Sequence, residues 1–511
     1  MTAAPLPERG PSHRGMLAVF SAAKVALHLA AITRYGWFRD EFYYVVCARH
    51  LAWGYVDQPP LSIAVLAMVT RIFGESLVAI RLVPALVGAG TVWLTGAIAR
   101  ELGGGRFAQA LACLGVIVAP SFLSIGHYYS MNAFDLLLWT AAIRVLIACL
   151  RGGAVRDWAV LGVLLGLGLL NKISVLWLGL GIGVGLVLTP HRRVLLTPGP
   201  WLAAAIAAAM FVPHVLWQVA NGWPTLEFMR NATGRKMAPI TPIQFLARQL
   251  QGMGPGNALV WIAGLGYALL ARGGALRLFA WIYLAVLALL VAGGRSRAGY
   301  LSVAYPMLFA LGGLAWERLA AARGRWLKPV AVAASLATLV WLPLALPVLP
   351  VDDFIRYQAA LGVKPGTEER KRIGPLGQHY ADMHGWEAMV DGVARAAARL
   401  SDEERRKAVV FGQNYGEAGA VDVLGRARGL PRAVSSHNNY WLWGPGDWDG
   451  GVMIVIGGGR DDNAAWFESI AVVDSVDHPL AMPYERHLDI SIARRFKMPP
   501  AQAWPQLKHY D

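Results

Sequence analysis

The feature that most constrains this chain is a repetition. Apolar runs of roughly 20 residues, the length that crosses a bilayer as a helix, follow one another through its first two thirds. They lie near 15–34, 77–98, 107–124, 134–150, 157–170, 173–189, 201–219, 254–272, 275–293, 300–318 and 327–347. That pattern predicts about eleven spans. The composition agrees: 56% of the 511 residues are hydrophobic and only 15% are charged, against about 25% charged in soluble globular proteins. The expected class is a polytopic α-helical membrane protein. The net charge of +15 does not read as a nucleic-acid surface, because the Lys and Arg fall mostly in short loops between runs, where membrane topology explains them. Cys47, Cys113 and Cys149 are far apart, with neither metal-site nor disulfide spacing. The basic segment "MTAAPLPERGPSHRG" precedes a run with no convincing cleavage site, which predicts a retained first helix.

Loop charge predicts the orientation. Basic residues gather at Arg9 and Arg14, Arg100 to Arg106, Arg151 to Arg156, His191 to Arg193, Ala271 to Arg277 and Glu317 to Lys328. All six segments share one side if "LSIAVLAMVTRIFG" (61–74) does not cross but lies along the interface or re-enters. The N-terminus is then expected in the cytoplasm and the C-terminus outside. After "LPLALPVLP" the composition turns polar. We therefore expect a membrane unit over 1–350, with outer loops at 35–76, 124–134 and 220–253, and a soluble α/β unit over 351–511. Within the latter, "KAVVF" and "VMIVI" read as buried strands, and "WEAMVDGVARAAARL" as an amphipathic helix.

Sorting residues by side isolates those that topology leaves unexplained. The first outer loop contains "RDEFYY", with Asp40 and Glu41 at the start of a helical pattern, and "DQPP", with Asp57 and Gln58. Asp40 and Glu41 fit two roles: a helix-start carboxylate pair, or a site able to deprotonate a hydroxyl or hold a divalent metal. "SIGHYYSMNAFD" brings His127, Tyr128 and Asp135 to the same side, with the same two readings for Asp135. Lys172 in "NKIS", and Arg295 and Arg297 in "GGRSRAGY", break the charge rule. They either snorkel to headgroups or meet an anion such as phosphate. In the soluble unit, "GQNYGEAGA" (Asn414, Glu417) and "SSHNNYWLWGPG" (His437, Asn438) carry groups suited to sugar binding or to plain turn packing. "GLGIGVG" lies within a span and reads as helix packing; "GGGR" (Gly457 to Arg460) reads as a turn or a phosphate contact.

"RDEFYY", "WGYVDQPPL", "FGESLVAIRLVPALVG", "GLGLLNKIS" and "RAGYLSVAYPML" together resemble, over about 1–310, the bacterial membrane glycosyltransferases related to protein O-mannosyltransferases and the lipid A aminoarabinose transferase. The resemblance implies a GT-C fold in the bacterial inner membrane, with the C-terminal unit periplasmic. It implies a sugar donor linked to a polyprenyl phosphate such as undecaprenyl phosphate, an envelope acceptor (lipid, glycan or protein), and an inverting single displacement. Carried onto this chain, Asp40 becomes the general base, with Glu41 and Asp135 as further acids, any of which would serve as ligands if a metal ion is required. Lys172, Arg297, Tyr300 and Arg295 become contacts to the lipid phosphate. Gln58 stands where the aminoarabinose transferase type has lysine, which weakens any phosphate contact from that loop. The rival reading is a lipid-linked sugar transporter or flippase without transfer chemistry.

Overall fold

The computed structural model describes residues 6–271, 274–459 and 463–511. Of the segments read above, Met1 to Pro5, Arg272, Gly273 and Arg460 lie outside the described residues.

Apolar runs become helices, and small polar residues and prolines mark where they start. After α1 (Arg14–Leu29), a short α2 (Arg39–Arg49) and α3 (Leu61–Phe73) precede the long α4 (Leu77–Glu101). The Ser76 hydroxyl accepts from Ala79 N at the start of α4, satisfying one of the donors a helix start leaves free. Ser130 does the same at the start of α5 (Met131–Leu150). Helix α6 (Val155–Asn171) ends where Lys172 adopts an extended backbone, and α7 (Val175–Val187) follows at once.

Among the described residues five helices are long and apolar enough to cross a membrane: Leu77–Glu101, Met131–Leu150, Pro198–Ala220, Ala298–Arg323 and Leu327–Leu344. Two bent pairs, Val175–Val187 with Pro190–Leu196 (111°) and Pro242–Met253 with Pro255–Leu270 (109°), raise this to seven if each counts as one span. The expected total of about eleven is larger because several runs fold into shorter helices, such as Arg106–Val118 and Arg277–Ala292. Leu176, Trp201, Leu216 and Ile243 stay exposed, as side chains facing lipid do. The chain is a polytopic membrane protein. Helix α3, expected at the interface, has 13 residues and so reaches only about 20 Å, short of a bilayer core of about 30 Å. It buries Ile63 and Leu66 and leaves Met68, Ile72 and Phe73 exposed.

Beyond Pro350 the chain forms a five-stranded sheet in the order β2-β1-β3-β5-β4. Its strands are β1 (Val409–Phe411), β2 (Ala433–Val434), β3 (Val452–Ile456), β4 (Phe467–Val476) and β5 (Leu488–Phe496). The first three pair in parallel, and β5 joins β3 to β4 antiparallel. "KAVVF" and "VMIVI" become β1 and β3, and the amphipathic segment becomes helix α8 (Trp386–Ala397). Alternation along each strand makes two faces. Val409, Met453 and Val455 pack with Trp448 and Trp504. Val410, Ile454 and Ile490 pack instead with α8, with α9 (Tyr415–Leu424), and with Phe42, Val45 and Val46 of α2. The first loop of the membrane part therefore shares a core with the sheet.

Glycine makes this contact possible. A Cβ on Gly419 of α9 would lie 2.9 Å from Phe42 Cβ and 3.2 Å from Tyr43 N. "GEAGA" is small because α2 lies against it.

Candidate active site

Three consecutive residues at the start of α2 go to three different surroundings, because successive residues on a helix point about 100° apart. Arg39 turns toward the sheet unit. Its guanidinium lies 3.6 Å from Asp382 and bonds the Tyr484 hydroxyl, and its backbone N–H donates to Asp382 O at 2.9 Å. Glu41 turns into the membrane helices and is fully buried. It pairs with Arg81 at 2.8 Å and accepts from Phe38 N and Tyr129 N, each at 2.9 Å. Arg81 also donates to Ile32 O and Gly36 O. Glu41 is thus the helix cap and a structural ion pair, with no free oxygen for a metal or a proton. Asp40 is the most open of the three, with its side chain 32% exposed against 11% for Arg39. One of its oxygens accepts from the Tyr415 hydroxyl at 2.8 Å and lies 3.3 Å from Arg39 Nε.

Asp40 borders a cavity of about 720 Å³ lined also by Asp57, Tyr128, Lys172, Arg297 and Tyr300, among others. Six of the residues singled out in the sequence therefore come together here. Lys172 Nζ donates to Asn132 Oδ1 at 2.8 Å, lies 3.5 Å from Asp135, and sits 5.0 Å from the Tyr300 ring centre. Arg297 is held by Glu369 at 2.6 Å. Asp57 accepts from the Tyr43 hydroxyl at 2.9 Å, and burial pushes its carboxyl up to about 6.

Other expected residues stand elsewhere. Asp135 is buried behind Lys172 and accepts from Ser174 Oγ at 2.8 Å; it orients the lysine and does not line the cavity. Gln58 is fully buried under the first loop; its backbone carbonyl accepts from Tyr55 N, and its side chain is not part of the cavity lining. His127 is buried 3.4 Å from Arg81. Arg295 donates to Thr233 O and Gly234 O and pins that turn. Asn438 is buried against Asp511 O.

Asn414, Glu417 and His437 line a second cavity of about 340 Å³. Asn414 caps α9 through Gly416 N and Glu417 N, and its amide nitrogen bridges Glu417 and Glu485. Burial and the neighbouring Glu485 carboxyl push Glu417 up.

The expected metal set does not form. Glu41 is consumed by Arg81, and Asp135, beside Lys172 and Ser174, stands apart from Asp40, outside the cavity lining. Among the described residues the ligand atoms of His437, His509 and Asp511 lie within 4.8 Å of one another and could hold a metal ion. Here His437 Nδ1 accepts from Tyr415 N at 3.4 Å, and its Nε2 lies 3.2 Å from Asp511.

The sequence reading missed Lys236, Arg248, Glu369, Asp382 and Tyr415, which also line the main cavity. Lys236 lies in the turn after the Pro224–Asn231 helix, and Glu369 in a charged run that reads as solvated loop. Neither segment carries a local signal; only their pairing across the fold brings them to the site.

Residues 57–217 match the family model for dolichyl-phosphate-mannose-protein mannosyltransferase. The fold is similar to that of solved membrane glycosyltransferases. It is similar to ArnT from Cupriavidus metallidurans in the apo state, at 17% identity and a TM-score of 0.59, over 94% of this chain and 98% of that one. The same protein bound to undecaprenyl phosphate gives 16%, 0.58, 94% and 98%. Archaeal oligosaccharyltransferase AglB from Archaeoglobus fulgidus gives 12%, 0.52, 82% and 64%. No curated protein sequence matches the chain. The resemblance read in the sequence is thus met by both family model and fold.

Proposed function

We propose that this chain is an inverting glycosyltransferase that moves a sugar from a polyprenyl-phosphate donor to an envelope acceptor at the periplasmic face of the bacterial inner membrane. In this reading residues 1–350 form the catalytic membrane unit and 351–511 a periplasmic α/β unit. The observation that carries it is the placement of one open carboxylate, Asp40, in the same cavity as Lys172 and Arg297. ArnT, the similar structure, is bound to undecaprenyl phosphate, which supports a donor of that class. Charges gathered in one cavity favour transfer over the transporter reading, since transport would call for charges along a path through the membrane.

The chemistry follows from the charges. Asp40 takes the proton of an acceptor hydroxyl as its oxygen bonds the anomeric carbon. The bond from that carbon to the phosphate oxygen breaks, and its electron pair leaves with the phosphate. The leaving group gains a negative charge as this happens. Lys172, fixed by Asn132 and Asp135, and Arg297, fixed by Glu369, are aimed in advance at that developing charge, which is where electrostatic help lowers a barrier. No metal enters a step.

General-base catalysis contributes about 10²–10⁴ in rate. Asp40→Asn should lose that much transfer from undecaprenyl-phosphate-linked sugar in purified protein while melting like wild type. Turnover near wild type in that variant sinks the assignment.

A further inference from the structure

The second cavity holds an uneven set of charges. Residues 236–238 and 368–370 pair as a short antiparallel bridge: Met237 faces Glu369, Ala238 N donates to Glu368 O at 3.0 Å, and Arg370 N donates to Lys236 O at 2.9 Å. The bridge forces two basic doublets, Arg235-Lys236 and Arg370-Lys371, onto one rim. The ion pairs of this region use Lys236, Arg248 and Arg297. Among the described residues Arg235, Arg370 and Lys371 have no carboxylate within 4.0 Å. Arg370 and Lys371 are exposed, and Lys371 rests only on the Tyr484 ring, 4.9 Å from its centre. Like charges held side by side destabilise a pairing unless an anion joins them. Glu369, Glu417 and Asp511 line the same cavity, but among the described residues none lies within 4.0 Å of the Arg235, Arg370 or Lys371 charge.

The place matters as much as the charge. Arg39, Lys236, Glu369 and Tyr415 line both cavities, so the second lies just across the wall that carries Asp40. The Tyr415 hydroxyl in that wall touches Asp40 directly. Lys172 lines only the main cavity. Asp40 too lines only the main cavity, so a molecule in the second cavity meets it across the shared wall, at Tyr415.

We propose that the second cavity is the acceptor subsite, and that the acceptor carries an anionic group, phosphate or carboxylate, seated on Arg370, Lys371 and Arg235 while its hydroxyl reaches Asp40. This rests on the transferase reading above. Planar guanidinium and mobile ammonium groups together suit a multiply charged oxyanion. Exposed cations also make such recognition sensitive to salt.

The test uses the full-length protein in phosphatidylcholine nanodiscs, with Arg370→Gln/Lys371→Gln beside wild type. Inorganic pyrophosphate is titrated by calorimetry, and undecaprenyl phosphate separately. We expect the double variant to weaken pyrophosphate binding at least tenfold and undecaprenyl phosphate binding less than twofold. Envelope extract from a deletion strain is then split by anion exchange and offered as acceptor, with the strain's own undecaprenyl-phosphate-linked sugars as donor. Acceptor activity should elute with salt, and its KM should rise about tenfold in the double variant while the donor KM holds. Unchanged pyrophosphate binding overturns the site. Weakened pyrophosphate binding with acceptor activity in the neutral flow-through, or with unchanged acceptor KM, marks a free-anion site and overturns the acceptor assignment. Absence of transfer by wild type with every fraction counts against the transferase reading itself; the titration, which needs no chemistry, tells the two failures apart.

Discussion

Asp40 and Glu41 are adjacent in sequence and opposite in role. Glu41 answers a helix start and a buried arginine; Asp40 answers a cavity. Removing one partner of a buried ion pair leaves the other charge stranded, at about 3–5 kcal/mol. Glu41→Gln or Arg81→Met should therefore lower the melting temperature and the yield of folded protein, where Asp40→Asn lowers only turnover. Equal melting of Glu41→Gln and wild type would contradict the structural role. Tyr415 offers a finer probe. Its hydroxyl donates to Asp40 at 2.8 Å and fixes where that carboxylate points. Tyr415→Phe should lower kcat/KM by about tenfold, the size of one lost hydrogen bond, while the melting temperature holds. Turnover at the wild-type level would instead mean that Tyr415 only packs.

At this scale the sequence was legible in part. Asp40, Lys172 and Arg297 stood out because each breaks a rule of its neighbourhood, charge beside lipid or cations on the unexpected side, whereas Tyr300 stood out only through the family resemblance. Glu41 and Asp135 break the same rule for another reason, since each carries a buried cation, Arg81 or Lys172. No local pattern separates a carboxylate that holds a lysine from one that holds a substrate. Gln58 and His127 failed likewise: polar residues in a functional loop, turned inward.

Among the elements, α2 decides most. It is short, its start is held by Glu41, and it lies between membrane helices and sheet. Its fit against α9 depends on Gly419, where a methyl group would press on Phe42 and Tyr43 N. Overpacking at such a contact costs about 1–3 kcal/mol. Gly419→Val should lower the melting temperature and reduce transfer with it, because α2 carries Asp40, the proposed base. Transfer and melting both at wild-type level would show that the two helices can part without consequence. The small residues of "GEAGA" carry no signal of their own in the sequence, since their reason lies far along the chain, in Phe42 and Tyr43. Strands β1 and β3 and helix α8 were legible because their alternation or amphipathic period is complete within the segment. The count of spans was not, since apolar length alone does not say where a helix bends or stops.

For the whole molecule, the seam between the membrane helices and the α/β unit is titratable. Asp382 is buried in it beside Arg39, and burial pushes its carboxyl up to about 7, from an ordinary value of about 3.9. Between these values the folded chain binds a proton that the unfolded chain has released, so stability falls as pH rises through the window. One such proton changes stability by at most about 1.4 kcal/mol per pH unit. The melting temperature should therefore decline from pH 5 to pH 7, and Asp382→Asn should flatten that decline. An identical slope in the variant would remove Asp382 as its source.

Arg39 is held by the sheet unit and Glu41 by the membrane helices, with Asp40 between them. This places a limit on how such a chain can change over time. A sheet unit taken from a distant relative would have to bring partners for Arg39 where Asp382, Tyr415 and Tyr484 stand, and room for Phe42 where Gly419 stands. The two parts can diverge in sequence, but only at the pace set by the residues that join them.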